Sequence, residues 1–301
     1  MFFLVHILIK LYLFIGIGYV AAYYFADTQK YISKVLFYFI APFLIFKSIL
    51  EMEISTASLS LPLFSYLFSS ILALSFYYLS KKLLKDERKH LIALCAGTSN
   101  CGYIGIPLAS KLLPAAIVPK FIALVLGMVL FENSLGFYLA AKRINNSKTC
   151  IKRLLQVPAL YAFALALFLS PYNYSICFVG DHFLKDVFCL LGMMIVGAGL
   201  FNASSKEPFD YSFTIITCLS KFFAAPLLMF AIIFIEKSYF QLYSQDLHRA
   251  FLLYAFTPLA ANTIALSTIL NCQPEKAARA VTCSIVVTLL YLPLMIQYFV
   301  L

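Results

Sequence analysis

Residues 97–109 read GTSNCGYIGIPLA, and residues 257–263 read TPLAANT. Each stretch places glycine or proline beside asparagine and hydroxyl side chains within a long apolar run. Proline removes a backbone donor and clashes with the preceding helical turn, and a bilayer tolerates a broken helix only where protein or a cavity surrounds it. The stretches therefore predict two interrupted membrane helices. The alternative is that Gly102 and Gly105 serve close helix packing and that Pro258 is a tolerated kink.

The composition of the whole chain is that of a membrane protein. Of its 301 residues, 63% are hydrophobic and 12% are charged, and the mean hydropathy is +0.91. Soluble domains are about a quarter charged, so a soluble globular enzyme, a disordered protein and a nucleic-acid-binding module are excluded. A membrane helix needs roughly 20 apolar residues. Polar interruptions leave ten such segments, at residues 2–24, 31–50, 59–79, 91–113, 116–140, 153–170, 182–201, 212–235, 248–270 and 277–300.

The basic residues of the loops predict which way the segments run. Fifteen of the 23 Lys and Arg residues follow segments 1, 3, 5, 7 and 9. Cytoplasmic loops carry an excess of Lys and Arg, so we expect these loops in the cytoplasm and both termini outside. This predicts a multi-pass integral protein of the plasma (inner) membrane. The fifteen residues are Lys30, Lys34, Lys81, Lys82, Lys85, Arg88, Lys89, Lys142, Arg143, Lys148, Lys152, Arg153, Lys206, Lys276 and Arg279.

The order of the segments indicates an internal repeat. Five segments precede the basic stretch at residues 142–153 and five follow it, which divides the chain into halves at 1–145 and 146–301. An odd number of helices per half turns the second copy over in the membrane. The interrupted segments are the fourth of each half. Such a matched pair is the best sequence signal for the binding site of a secondary transporter.

Two motifs in these segments resemble the auxin efflux carrier family. Residues 99–109, SNCGYIGIPLA, are similar to the family's GNxGxLGLPLA stretch. Residues 258–266, PLAANTIAL, followed by QPEKAA at 273–278, are similar to its P-x-x-x-N-x-x-x-L and D-P-E-x-A-A signature, with Gln273 in place of the usual Asp. The resemblance implies an all-α polytopic membrane protein of ten transmembrane helices. These would form two inverted five-helix repeats with broken, crossing helices 4 and 9, as in bile-acid sodium symporters.

The resemblance also implies a function. Segments 1, 2, 6 and 7 would form a scaffold, and segments 3–5 and 8–10 a mobile transport domain. Family members move small organic anions such as auxin, malate or malonate, which implies a secondary active transporter, an efflux permease, working by alternating access. The family's crossover asparagines correspond to Asn100 and Asn262. We therefore predict substrate binding by Ser99, Asn100, Cys101, Gly102, Asn262 and Thr263, and helix breaks at Gly105, Pro107 and Pro258.

Two of the charged residues within the apolar segments lie at a similar predicted depth. Glu132 in segment 5 and Lys221 in segment 8 are each about eight or nine residues from the predicted cytoplasmic face, or roughly 12–14 Å deep. Charges within a membrane are costly and are functional candidates by default. The hypothesis is that the two approach each other within the transport domain, or that Glu132 binds a coupling proton. The alternative is a purely structural pair, or two side chains that reach polar neighbours separately.

Other functions are weaker predictions. A sodium-coupled symporter of the bile-acid type would bind ions at the carbonyls of residues 99–102 and 261–263. The two candidate coupling ions are therefore H⁺, at Glu132, and Na⁺, at these carbonyls. No other cofactor is expected. The chain lacks an HExxH helix, a GxSxG elbow and a P-loop, which disfavours an intramembrane enzyme. A receptor or structural membrane protein leaves the paired interruptions unexplained.

Scattered Cys and His predict no metal site. The expected partners are the anion and the lipid bilayer, without nucleic acid, and a homodimer is compatible with the sequence.

Overall fold

Helices are the only regular secondary structure among the described residues. The computed structural model describes residues 2–25, 27–52, 55–84, 86–141, 152, 155–170, 181–202, 209–270 and 272–300, and no strand occurs within them. This confirms the all-α fold. In chain order the α-helices of this part are α1 (Phe2–Tyr24), α2 (Thr28–Val35), α3 (Ala41–Leu50), α4 (Thr56–Leu83), α5 (Arg88–Gly97), α6 (Ile106–Leu112), α7 (Val118–Asn133), α8 (Leu135–Ala141), α9 (Pro158–Leu169), α10 (Asp181–Asn202), α11 (Tyr211–Leu219), α12 (Ala225–Ile235), α13 (Gln245–Phe256), α14 (Asn262–Ile269) and α15 (Pro274–Phe299).

The helices coincide with the predicted apolar segments, each of which lies on one helix or on consecutive helices. Shorter apolar helices lie on segments 1, 6 and 7. These findings support an integral, multi-pass membrane protein, while the inverted ten-helix repeat stays a prediction. Within the described residues, six helical runs are long and apolar enough to cross a membrane: Thr28–Leu50, Ser58–Leu83, Arg88–Leu112, Val118–Ala141, Tyr211–Phe240 and Pro274–Phe299.

Three π-helical turns each end two residues before a proline. Proline has no N–H to give to the carbonyl four residues earlier, and its ring clashes with that turn. A wider turn, in which the N–H of the residue just before the proline bonds to the carbonyl five residues earlier, accommodates the proline. In each case this bond is formed at the end of the turn. The turns are Leu36–Ile40 before Pro42, Cys101–Gly105 before Pro107, and Ser220–Ala224 before Pro226.

Helices α1 and α10 contact each other backbone to backbone. A Cβ atom on Gly18 would lie 2.2 Å from the carbonyl oxygen of Met194, and one on Gly197 would lie 1.9 Å from that of Ile15. Small residues allow this close approach of membrane helices, whose association depends on van der Waals packing. The two glycines therefore hold segments 1 and 7 tightly together.

The carboxylate of Asp210 joins the beginnings of three helices. It accepts the N–H of Phe213 at 3.0 Å as the N-cap of α11. It also pairs with Arg88 of α5 at 2.9 Å and with Lys276 of α15 at 3.0 Å. Partial burial raises the pKa of Asp210, but the Phe213 N–H and the two cations outweigh this and hold that pKa below its ordinary value. Asp210 therefore stabilises the predicted cytoplasmic ends of segments 4, 8 and 10 as a unit.

We expect Asp210→Ala to lower the free energy of unfolding by about 1–3 kcal/mol, because it removes a helix cap, leaves Lys276 without this partner and leaves Arg88 with Asp86 alone. Thermal unfolding of the detergent-purified protein measures this. The stabilisation is present above about pH 4, the ordinary pKa of Asp, and is lost as the pH falls through the lower folded-state pKa. Asp246→Ala is the control, because Asp246 pairs with Arg249 and its side chain is 41% exposed. Equal shifts in both variants would contradict the role given to Asp210.

Candidate functional site

Two irregular stretches of the chain meet inside the bundle. Residues 98–100 follow α5, residues 257–261 follow α13, and neither stretch is helical. The N–H of Asn100 donates to the carbonyl of Pro258 at 2.8 Å. Pro258, predicted as a helix-break residue, thus lies in the second interruption. We call the contact between these two stretches the junction, and it joins segments 4 and 9.

Gly105 and Pro107, also predicted as helix-break residues, lie after the interruption of segment 4 rather than in it. The N–H of Gly105 bonds to the carbonyl of Asn100 at 3.2 Å, so the chain is helical again before it reaches Pro107. Pro107 occupies the first turn of α6, where a missing N–H is tolerated. The carbonyl of Tyr103, which an N–H at position 107 would bond in an α-helix, instead accepts the thiol of Cys189 at 3.4 Å.

A cavity of about 360 Å³, which we call the central cavity, reaches the junction. Exposed Lys34 and Gln156 line it where it meets the surface. Between the surface and the junction the lining is mostly apolar and comes from α3, α7, α10 and the π-turn before α3. The polar residues at the junction end are Ser99, Asn100, Tyr103, Glu132 and Asn262, and the apolar wall includes Leu36, Phe37, Leu44, Ile45, Ile122, Val125 and Phe188.

The side chain of Asn100 lines this cavity without a partner of its own. It is only 2% exposed, and neither Nδ2 nor Oδ1 has a hydrogen bond within the described part of the chain. Its backbone is fixed, since the N–H bonds to Pro258 and the carbonyl accepts from Ile104. A buried amide without partners costs about 1–3 kcal/mol. The Asn100 amide is therefore an unpaired polar group on a fixed backbone in a residue that lines the cavity.

Asn262, the first residue of α14, connects the other polar groups. Its Nδ2 donates to Oε2 of Glu132 at 3.3 Å, and its Oδ1 accepts the hydroxyl of Tyr103 at 3.3 Å. Glu132 is 2% exposed, and its second oxygen, Oε1, has no partner among the described residues. The network thus presents a carboxylate with one free oxygen to the central cavity.

Lys221 contacts the opposite side of the junction. Its Nζ donates to Oγ of Ser99 at 2.6 Å, and the side chain is buried in the π-turn between α11 and α12. Lys221 does not line the central cavity, whereas Ser99 does. Among the described residues, no ion pair joins Lys221 to Glu132. Each of the two charged side chains therefore reaches a different polar neighbour, and their shared depth in the membrane stays a prediction.

Two predicted substrate contacts lie behind the cavity surface rather than on it. The thiol of Cys101 is fully buried against Met128, with 3.4 Å between the sulfur atoms. The hydroxyl of Thr263 lies 2.9 Å from that of Thr98 and ties the two interruptions together. Gly102, in contrast, lines the cavity. The cavity therefore brings together four of the six predicted binding residues.

Tyr103 and Phe188 line the cavity but were not predicted as site residues. Their rings are 5.2 Å apart. The ring of Tyr103 also covers Gly192 of α10, where an added Cβ would lie 2.1 Å from its Cδ1 atom. Tyr103 follows Asn100 by three residues, so its place in the motif could have indicated it. Phe188 lies in a uniform apolar segment, where nothing in the sequence distinguishes it.

The N-terminal part of the chain is similar to a known family of membrane proteins. Residues 3–116, which include α1 to α6 and the first stretch of the junction, match the family model described as "Membrane transport protein". Over residues 3–116 the chain is therefore similar to membrane transporters, which is consistent with a protein that is not an enzyme. The match confirms the resemblance to the auxin efflux carrier family over these residues. Comparison with curated proteins gave no match.

Proposed function

We propose that this protein is a secondary active transporter, a permease that moves a small organic anion across the membrane by alternating access. The observation that carries the proposal is the unpartnered amide of Asn100 at the end of the central cavity, between two interrupted helices. An unpaired polar group inside a membrane protein costs free energy. A hydrogen bond to a polar substrate would compensate that cost.

The junction offers donors for a carboxylate. Asn100 and Ser99 both line the cavity, and the amide of the one and the hydroxyl of the other can each donate a hydrogen bond. The N-terminus of α14 begins at Asn262, and the positive end of a helix dipole favours an anion. The apolar wall can pack against the hydrocarbon part of an organic acid, but it offers a small inorganic anion no hydrogen bond. These features support an organic anion as the substrate class.

Glu132 is the proposed proton-coupling group. Its carboxylate lines the same cavity, so it repels an anion unless it carries a proton. A protonated Glu132 can still hydrogen-bond Asn262 and can donate from its free oxygen. The carbonyls of Asn100, Ala260 and Ala261 accept backbone N–H groups, which leaves fewer ligands for a sodium ion. These contacts support proton coupling over sodium coupling.

The position of the cavity suggests its orientation. Lys34 and Gln156, where the cavity meets the surface, lie in or next to loops that the positive-inside rule assigns to the cytoplasm. We therefore propose that the cavity faces the cytoplasm here, with segments 1, 2, 6 and 7 as the scaffold and the remaining segments as the transport domain. Moving the junction past the scaffold would open the site to the outside.

Flux into proteoliposomes tests the function. Vesicles with the purified protein and an unlabelled acid inside should exchange it for radiolabelled auxin, malate or malonate outside, and uptake of at least one should saturate. Empty vesicles are the control. Absence of saturable uptake of all three acids above this control would contradict the proposal.

A further inference from the structure

Lys221 is a buried cation without a counter-ion in the described part of the chain. Its side chain is 1% exposed, and the hydroxyl of Ser99 is the partner of its ammonium group. The neighbouring hydroxyls of Thr217 and Ser220 donate to carbonyls of their own helix. A buried ammonium costs several kcal/mol unless negative charge compensates it. Its position therefore calls for compensating negative charge from outside this local cluster.

Ser99 stands between Lys221 and the central cavity. An ammonium group only donates hydrogen bonds, so Oγ of Ser99 is the acceptor and its own hydrogen is free for another partner. Because Ser99 lines the cavity, that hydrogen can point into it. A hydroxyl that accepts from a cation becomes a stronger donor, as hydrogen bonds in a chain polarise one another. The positive charge of Lys221 is thus felt inside a cavity that the side chain does not enter.

We propose that Lys221 is the built-in counter-charge of the transported anion and that Ser99 relays this charge into the cavity. This inference rests on the proposed function. It assigns Lys221 a positioning and charge-balancing role through Ser99, without direct contact with the substrate. With a resident ammonium as the counter-charge, carboxylate binding would not require a sodium ion.

The proposal also gives the site a constant net charge. In the empty site, the ammonium of Lys221 balances the carboxylate of Glu132 on the other side of the junction. In the loaded site, Glu132 carries a proton and Lys221 balances a monoanionic substrate. Both forms are neutral, so neither would carry net charge through the membrane, where moving a charge against the potential is expensive. An anion and a proton would then cross together without net charge transfer.

Ligand-induced thermal stabilisation of the purified full-length protein tests the proposal. The probes are indole-3-acetate, malate and malonate, with indole-3-acetamide as the uncharged analogue of the first. Lys221→Met keeps the volume of the side chain and removes its charge, and we expect its affinity for a carboxylate probe that wild type binds to fall about tenfold or more. Its affinity for indole-3-acetamide should not fall. Lys221→Arg should retain most of the carboxylate binding.

A second variant and a control make the test specific. Ser99→Ala removes the relay but keeps the charge of Lys221, and we expect it to lose carboxylate affinity to a similar extent. The double variant should lose little more than either single change. This keeps the test decisive if Lys221→Met does not fold. Lys237→Met, at an exposed lysine of the same helical run, should bind as wild type does.

The outcomes separate the two proposals. Carboxylate binding within about twofold of wild type by Lys221→Met or by Ser99→Ala would overturn the inference and leave the transporter in place. A requirement of wild type for sodium in binding would also overturn it. Binding of none of the three acids by wild type would overturn the proposed function together with this inference.

Discussion

Replacing Asn100 with alanine is expected to reduce kcat/KM for anion flux by about 10- to 100-fold. A hydrogen bond to a charged group contributes about 1.5–3 kcal/mol, and about 1.4 kcal/mol corresponds to a factor of ten. The amide of Asn100 has no other partner in the described chain, so its removal leaves no protein group unpaired. The loss therefore falls on substrate binding, and the thermal stability of the empty protein should stay the same or rise.

Proteoliposome flux at several substrate concentrations, together with thermal unfolding, checks this expectation. Asn133→Ala is the matched control, since Asn133 also borders the cavity but its amide donates to the carbonyl of Val129 at 2.8 Å. We expect this control to reduce flux much less than Asn100→Ala. If the two variants lose flux equally, or if Asn100→Ala unfolds at a much lower temperature, the amide is structural and not a substrate contact.

Replacing Glu132 with glutamine is expected to abolish the pH dependence of transport. Under the proposed proton coupling, Glu132 must be neutralised before the anion enters, so flux should rise as the pH on the loading side falls. Glutamine is neutral at every pH, and its amide oxygen can still accept from Nδ2 of Asn262. The variant should therefore exchange anions across the membrane at a rate that does not change with pH, but should not accumulate them along a proton gradient.

Two assays on the same vesicles measure this. Counterflow with equal pH on both sides reports exchange, and uptake driven by an inside-alkaline gradient reports coupling. Glu275→Gln, in the first turn of α15 and outside the cavity lining, should keep both activities. Gradient-driven accumulation by Glu132→Gln at the wild-type level would show that another group binds the coupling proton.

The sequence predicts the helical segments and the two interruptions well, because both depend on local chemistry. Apolar runs of about 20 residues form helices in a membrane, and the Gly, Pro and Asn pattern interrupts them. The first interruption lies before the predicted helix-break residues Gly105 and Pro107 for a physical reason. A proline in the first turn of a helix is tolerated, so Pro107 follows the break at residues 98–100 and the π-turn between them accommodates its ring.

The partners of the charged residues could not be predicted from the sequence. Helical rise places Glu132 and Lys221 at a similar depth, but the side of the junction that each faces depends on how the helices pack. The structure pairs Glu132 with Asn262 and Lys221 with Ser99. Phe188 is a similar case, since its place in the cavity wall follows from the packing of α10 and from no feature of its own segment.

The central claim is that the junction is a substrate site with alternating access, and the accessibility of a cysteine at position 102 tests it most directly. Gly102 lines the cavity, and an added Cβ would lie 3.8 Å from its nearest neighbour, Phe188, so Gly102→Cys fits without strain. A membrane-impermeant thiol reagent is applied from either side of oriented vesicles, and labelling is counted above that of the wild-type chain. We predict labelling from both sides, with protection by a transported acid. Labelling from one side only, or labelling that the acid does not reduce, would contradict an alternating-access site at the junction.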